Sequence, residues 1–139
     1  MFHGEVHLLV RPEIKTIGDL VGRKVGVDTA GSGANHTGAI VFERLGVSVE
    51  KVTLSNTLAL EAMRRNELAG IVHLVSKPNG LLEKVKPDLG FHFLPIDYSD
   101  RFRDYYVPAE ISSADYPNLV PPGGTIRTIS VQALLAVFN

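Results

Sequence analysis

Between Thr29 and His36 the chain reads TAGSGANH, with two glycines set among small polar residues. Those residue types suit the holding of an anion. Gly31 and Gly33 let a backbone approach a bound group closely. Thr29, Ser32, Asn35 and His36 carry side-chain hydrogen-bond donors, and Ala34 adds no bulk. If a helix starts here, its unpaired N–H groups and partial positive charge favour a carboxylate or phosphate. The plainer alternative is a tight strand-to-helix turn in which Ser32 or Asn35 only caps the helix.

Sharper motifs do not fit. GSGANH lacks the third glycine of a dinucleotide fingerprint, and no lysine follows as a P-loop requires. Around Ser32 the run AGSGA places alanines where a nucleophile elbow has glycines, which argues against a serine hydrolase. A second cluster, SKPNG, places Ser76, Lys77, Pro78 and Asn79 where they would face the same crevice as Ser32, the alternative being a surface loop. Pro78 suits a first helical turn.

Other polar residues read as structure. His3, His7, His36, His73 and His92 include no helical pair at metal-ligand spacing, so no metal site is expected. His73 and His92 alternate with apolar residues, as satisfied structural histidines do. Asp97, Asp100, Arg101, Arg103 and Asp104 read as a solvated face. Tyr105, Tyr106 and Tyr116 read as packing, with lining of an opening as the alternative.

The elements that must position these residues alternate. EVHLLV predicts a strand over Glu5 to Val10, and GDLV a helical turn stopped by Gly22. KVGVDT predicts a second strand, followed by the glycine turn. A helix is expected from Asn35 to Leu45, with Ala39, Ile40, Phe42 and Leu45 inward. The unit then recurs. EKVTLS is a strand, Ser55 to Thr57 offer N-caps, LALEAMRRNEL is a helix and GIVHLV a strand. LLEKVK is helical, GFHFLPI a strand and DYSDRFRDYY a short helix. SSADYPNLVPPGG is loop, and a strand runs from about Ile126 to Val137. This alternation predicts an α/β fold of three layers, with a mixed, mostly parallel sheet flanked by helices. Ligands of such sheets sit beyond the carboxyl ends of strands, where the glycine turn lies.

The 139 residues are one domain's worth, 45% hydrophobic and 21% charged, with a formal net charge of −1. Basic residues are scattered, so no nucleic-acid partner is expected. The chain has no cysteine, which excludes disulfides and thiolate metal sites. No stretch has the apolar length of a membrane span. The N-terminus, MFHGEVHLLVRPE, does not read as a secretory signal.

The run IKTIGDLVGRKVGVDTAGSGANHTGAIVFERLGV resembles the TAXI branch of solute receptors of tripartite ATP-independent periplasmic (TRAP) transporters. In that family a DL-G-K-V lead-in passes through a strand into a GSG turn and a helix closing in LG. The resemblance continues through SNTLALEAMRRNELAGIVHLVSKPNGLLEKV, VPAEISSADYPN and IRTISVQALLAV, from about Val6 to Val137. It implies the two-lobed type II periplasmic-binding-protein fold and a small organic acid or acidic amino acid as ligand. It also implies a membrane transporter subunit as partner and a periplasmic location; a natural start at Met1 would instead imply the cytoplasm. By position, Thr29, Gly31, Ser32, Gly33, Ala34 and Asn35 correspond to the turn that grips the solute's carboxylate. Lys77, Pro78 and Asn79 correspond to the second cleft loop. Two departures stand out: Ala69 replaces the usual aspartate, and ANH the usual threonine-led continuation after GSG.

The first lobe of the family has no counterpart here. Residues 1–139 are therefore expected to form one domain equivalent to the second lobe, with hinge strands near 5–11 and 126–138 side by side. The expected function is noncovalent binding of a small anionic solute at Ser32 to Asn35, with His36 beside it. Neither catalytic residues nor a cofactor are expected. A homodimer or a separately encoded first lobe would complete the cleft. The alternatives are a cytoplasmic sensing domain like those of LysR-type regulators, a small enzyme using the Ser32 turn as an oxyanion site, and an orphan fragment.

Overall fold

A computed structural model describes residues 4–75, 79–102 and 106–131. Seven strands form one sheet: β1 (Glu5–Val10), β2 (Lys24–Gly26), β3 (Glu50–Val52), β4 (Gly70–Val75), β5 (His92–Phe93), β6 (Tyr106–Ser112) and β7 (Thr125–Val131). Their order is β3-β2-β4-β1-β7-β6, with β5 also paired to β1. Helices α1 (Gly33–Leu45), α2 (Asn56–Arg64) and the short α3 (Gly80–Glu83) follow β2, β3 and β4 in turn.

The three layers are present, but the sheet is mixed rather than mostly parallel. Among the described residues only β2 pairs parallel, with β3 and with β4. Strand β1 runs antiparallel to β4, β5 and β7, and β6 antiparallel to β7. The reason lies in the connections. A helix crossover returns the chain parallel to its start, and α1 and α2 do this for β2, β3 and β4. No such crossover constrains β1 or β7, and β6 turns into β7 through a loop.

Strand β1 reads as a near-continuous apolar run because both of its faces are covered. Val6, Leu8 and Val10 join Val25, Val27, Val72, Val41 and Phe42 in the core under α1. Leu9 joins Ile71, Phe93 and the α2 residues Ala59, Leu60 and Met63 in the core on the opposite face. Strands β1 and β7 lie side by side at one end. Glu5 faces Ser130, Thr128 Oγ1 donates to the Val6 carbonyl (2.5 Å) and Val131 N to the Gly4 carbonyl (3.0 Å).

Helix α1 begins two residues before the expected Asn35, because Ser32 and not a later residue is the cap. Ser32 is extended (φ −76°, ψ 161°) and its Oγ accepts from Asn35 N. The helix stops at Gly46 in the left-handed region (φ 72°), where Val47 N bonds back to the Phe42 carbonyl. Its buried stripe is Ala34, Thr37, Gly38, Val41 and Phe42. Ala39 is exposed, and Ile40 and Leu45 are half-buried, so the helix is rotated from the expected facing. The cause is Gly38: a Cβ there would lie 3.0 Å from Val27 Cγ1, so the helix settles on β2 along its glycine.

Two other expectations change. DYSDRFRDYY yields only a 3-10 turn at Asp100–Phe102 among its described residues, and Tyr106 already belongs to β6. Strand β6 had no sequence signal because Pro108 lies within it; it is an edge strand, where a missing N–H costs no ladder bond.

Gly70 is the tightest approach in the sheet. A Cβ would fall 2.7 Å from the Leu9 carbonyl oxygen and 2.9 Å from Val10 Cγ1. Gly70→Ala must move the backbone of β1, and is expected to cost roughly 1–3 kcal/mol, read as a lower urea midpoint at unchanged slope.

Candidate functional site

Because β2, β3 and β4 are parallel, their carboxyl ends share one edge of the sheet, and the first residues of α1, α2 and α3 follow from it. The glycine turn occupies this edge. Asp28 adopts a left-handed backbone (φ 64°), uncommon for a residue with a side chain, and its Oδ1 accepts from Thr29 N (2.8 Å). Gly31 is also left-handed (φ 82°), with open space where a Cβ would stand. Ser32 N donates to the Thr29 carbonyl (3.1 Å) and Asn35 N to Ser32 Oγ (3.1 Å).

Two of the four N–H groups between Ser32 and Asn35 are thus committed within the turn. Gly33 and Ala34 are the first two residues of α1, where a helix offers an N–H no internal acceptor. No acidic residue occupies the first turn of the helix, so its positive end is not neutralised from within. Thr29, Gly31, Gly33 and His36 are exposed, Ser32 and Asn35 half-buried, and Ala34 buried. A chain with these features can offer two backbone donors and the Thr29, Asn35 and His36 side chains to a carboxylate-sized group.

Of the second cluster, only Asn79 belongs to the described residues; Ser76, Lys77 and Pro78 lie outside them, as does Tyr105. Asn79 caps α3, its Oδ1 accepting from Leu81 N (3.1 Å) and Leu82 N (3.3 Å). It also joins the turn to groups that sequence reasoning had read as packing. Asn79 N donates to Tyr116 Oη (2.8 Å), and Tyr116 Oη lies 2.9 Å from His7 Nε2. His7 Nδ1 lies 2.8 Å from the Glu5 carbonyl oxygen. That carbonyl can only accept, so Nδ1 carries the hydrogen and Nε2 accepts from the Tyr116 hydroxyl. The buried relay is satisfied at each link.

His73 is the cross-strand neighbour of His7, with ring centroids 6.4 Å apart. Its Nδ1 bonds the side chain of Asn56, the first residue of α2, and the Asn79 side chain favours its protonated form. Burial pulls its proton affinity below the ordinary histidine value, while the Asp28 charge and the Asn79 bond oppose that fall. Asn56 is 7% exposed and its Oδ1 is buried without a hydrogen-bond partner. Buried polar groups normally find partners, so Asn56 Oδ1 is an exception.

The missed residues are therefore Asp28, Asn56, His7, His73 and Tyr116. For the two histidines a signal existed, since each falls on the same inward face as Leu9 and Ile71. Tyr116 carried none, because its partner lies 109 positions away. His92 Nε2 is likewise buried and unpartnered, so His92 is not the satisfied histidine expected. Asp97 pairs with Arg127 on an exposed face. Among the described residues no cluster of metal-ligating side chains occurs, and no helix is long and apolar enough to cross a membrane. A separate groove of about 630 Å³ lies along Asp97, Tyr98, Pro108, Ala109, Glu110, Arg127 and Thr128, and contains none of the expected site residues.

No family model and no curated protein matches the chain. Solved structures do resemble it. An ancestral arginine-binding protein bound to arginine superposes with a TM-score of 0.52 at 18% identity, over 95% of this chain and 48% of that one. The arginine-bound truncated ArgBP from T. maritima gives 0.49 at 16%, over 98% and 51%. The GluR0 ligand-binding core from Nostoc punctiforme in complex with L-glutamate gives 0.38 at 28%, over 52% and 32%. The chain spans about half the length of the arginine-binding structures. Its mixed sheet and flanking helices have the fold of about half of that ancestral arginine-binding protein.

Burial pushes the Tyr116 hydroxyl from its ordinary value of 10.0 up to about 12. The stability that this group contributes is full below pH 10 and is lost as pH rises through 12, because the unfolded chain ionises first. Tyr116→Phe is expected to lower stability by about 1–3 kcal/mol at neutral pH, leaving His7 Nε2 and Asn79 N without partners. It should also flatten the loss of stability between pH 10 and 12, measured by urea unfolding across that range.

Proposed function

We propose that this chain is the second lobe of a two-lobed, TAXI-type solute receptor, which binds a small carboxylate-bearing solute and passes it, without catalysis, to a membrane transporter. The observation that carries the reading is the start of α1. Gly33 and Ala34 present N–H groups with no intrahelical acceptor, at a helix end free of acidic side chains and behind a left-handed Gly31 that keeps the approach open. The half-length match to solute-binding proteins supports the same reading at the level of fold. The periplasm is the compartment that goes with it.

Asp28 narrows the solute class. Its carboxylate belongs to the same turn and bears electrostatically on His73 at the cleft floor. A purely anionic solute would be repelled there, whereas an acidic amino acid brings a carboxylate for the α1 donors and an ammonium for Asp28. Asn79 belongs to the second ligand loop in this reading, with Lys77 and Pro78 as its expected partners outside the described residues. One lobe leaves the solute half in water, so the affinity of the chain alone is weak. A first lobe, or a second copy of the chain, closes the cleft.

The cleanest probe is Gly33→Pro. Proline suits the first helical position, and the extended Ser32 (ψ 161°) already has the backbone that a residue before proline adopts. The substitution removes one donor and keeps the Ser32 cap. Amide resonances of Gly33 and Ala34 are expected to shift on titration with L-glutamate, and Gly33→Pro to weaken binding by ~10-fold or more. Asp28→Asn, which tolerates the left-handed backbone, should weaken glutamate and strengthen succinate. Shifts confined to other parts of the chain would sink the assignment of the site.

A further inference from the structure

The contact between Asn56 and His73 has two chemical forms. Asn56 Nδ2 faces His73 Nδ1. An amide N–H can only donate, so Nδ1 must hold a lone pair and the ring is the neutral Nε2–H tautomer. Its remaining N–H is then the one on Nε2. In this form Asn56 Oδ1 is the buried atom without a partner. When His73 takes up a proton, both ring nitrogens donate. Nδ1–H can bond only an acceptor, and turning the amide over brings that same orphan Oδ1 to it. The position that Oδ1 vacates is then filled by Nδ2, a donor.

We propose that His73 and Asn56 form a proton-operated switch beneath the start of α2, which reverses the Asn56 amide and exchanges a buried acceptor there for a donor. The imidazolium also adds a positive charge at the sheet edge that carries the glycine turn. The groups facing His73 among the described residues are His7 from β1, Asp28 from the turn after β2, Asn56 from α2 and Asn79 from the start of α3. Asp28 is the charged one and favours the proton, so the switch works against burial and lies below neutral pH. Coupling to solute rests on the reading of the turn given above. By linkage, an anion held at that edge raises the proton affinity of His73, and the proton raises the affinity for the anion by the same factor.

The test uses the whole chain, with nitrogen-15 spectra of the histidine rings and of the asparagine side-chain amides between pH 4 and pH 8. At neutral pH the expected result is Nε2–H at His73. On acidification the Asn56 amide protons should shift with the same midpoint as the ring. Asn56→Asp places a carboxylate against Nδ1 and is expected to lift that midpoint by about 1 unit or more. An Nδ1–H tautomer at neutral pH, or an Asn56 amide that ignores the His73 titration, overturns the switch. L-Glutamate affinity followed over the same range is expected to tighten by ~10-fold once His73 is protonated, and His73→Gln to abolish that pH dependence. Glutamate binding that is insensitive to pH overturns the coupling. No glutamate binding at any pH, with the ring and amide titrating together, strikes the solute reading and leaves the switch standing.

Discussion

Strand β1 is the constraint on which the rest of the molecule depends. It pairs with β4 along its length, with β7 at its start and with β5 at its end, and both of its faces are buried. A buried backbone must find partners for its N–H and C=O groups, so the register of these strands is shared. His7 sits on this strand and makes the constraint chemical as well as steric. Its ring is fully buried against Phe93 and Tyr116. Its Nδ1 is satisfied within the strand by the Glu5 carbonyl, and its Nε2 only if the loop carrying Tyr116 comes to it, which brings Asn79 N to the same hydroxyl. The placement of Asn79 follows from a histidine on β1, the strand beside β4.

The parallel part of the sheet does the complementary work. With β2 between β3 and β4, three chain segments leave one edge and begin a helix there. Turn residues that are distant in sequence are thereby brought to one surface. Strain and unmet hydrogen-bonding capacity gather at the same place: a left-handed Asp28, an orphan carbonyl on Asn56, and free donors at Gly33 and Ala34. Cores avoid such features, and here several of them gather along one edge. Apolar layers pack on either side of it.

Much of the fold was legible because it is written in local patterns. Strands β1 and β4 match EVHLLV and GIVHLV to the residue, and Ser32, Ser55 and Gly46 stand at their helix ends as capping chemistry requires. Where local patterns were overridden, a named contact did it. Gly38 against Val27 turned α1, and an edge position made room for Pro108 in β6. The pairing directions of β1 and β7 lay beyond any local signal, since the alternation of strands and helices speaks only for strands joined by a crossover.

The candidate site divides in the same way. The sequence by itself determined that TAGSGANH is a permissive strand-to-helix turn with donors at its mouth, because backbone freedom, capping and helix polarity are properties of neighbouring residues. Only the tertiary structure decided which of those donors stay free. It alone set Asp28, His73, Asn56 and the His7–Tyr116–Asn79 relay beneath them. Those contacts join residues up to 109 positions apart. Burial and pairing at such range come from packing, and no window of sequence contains them.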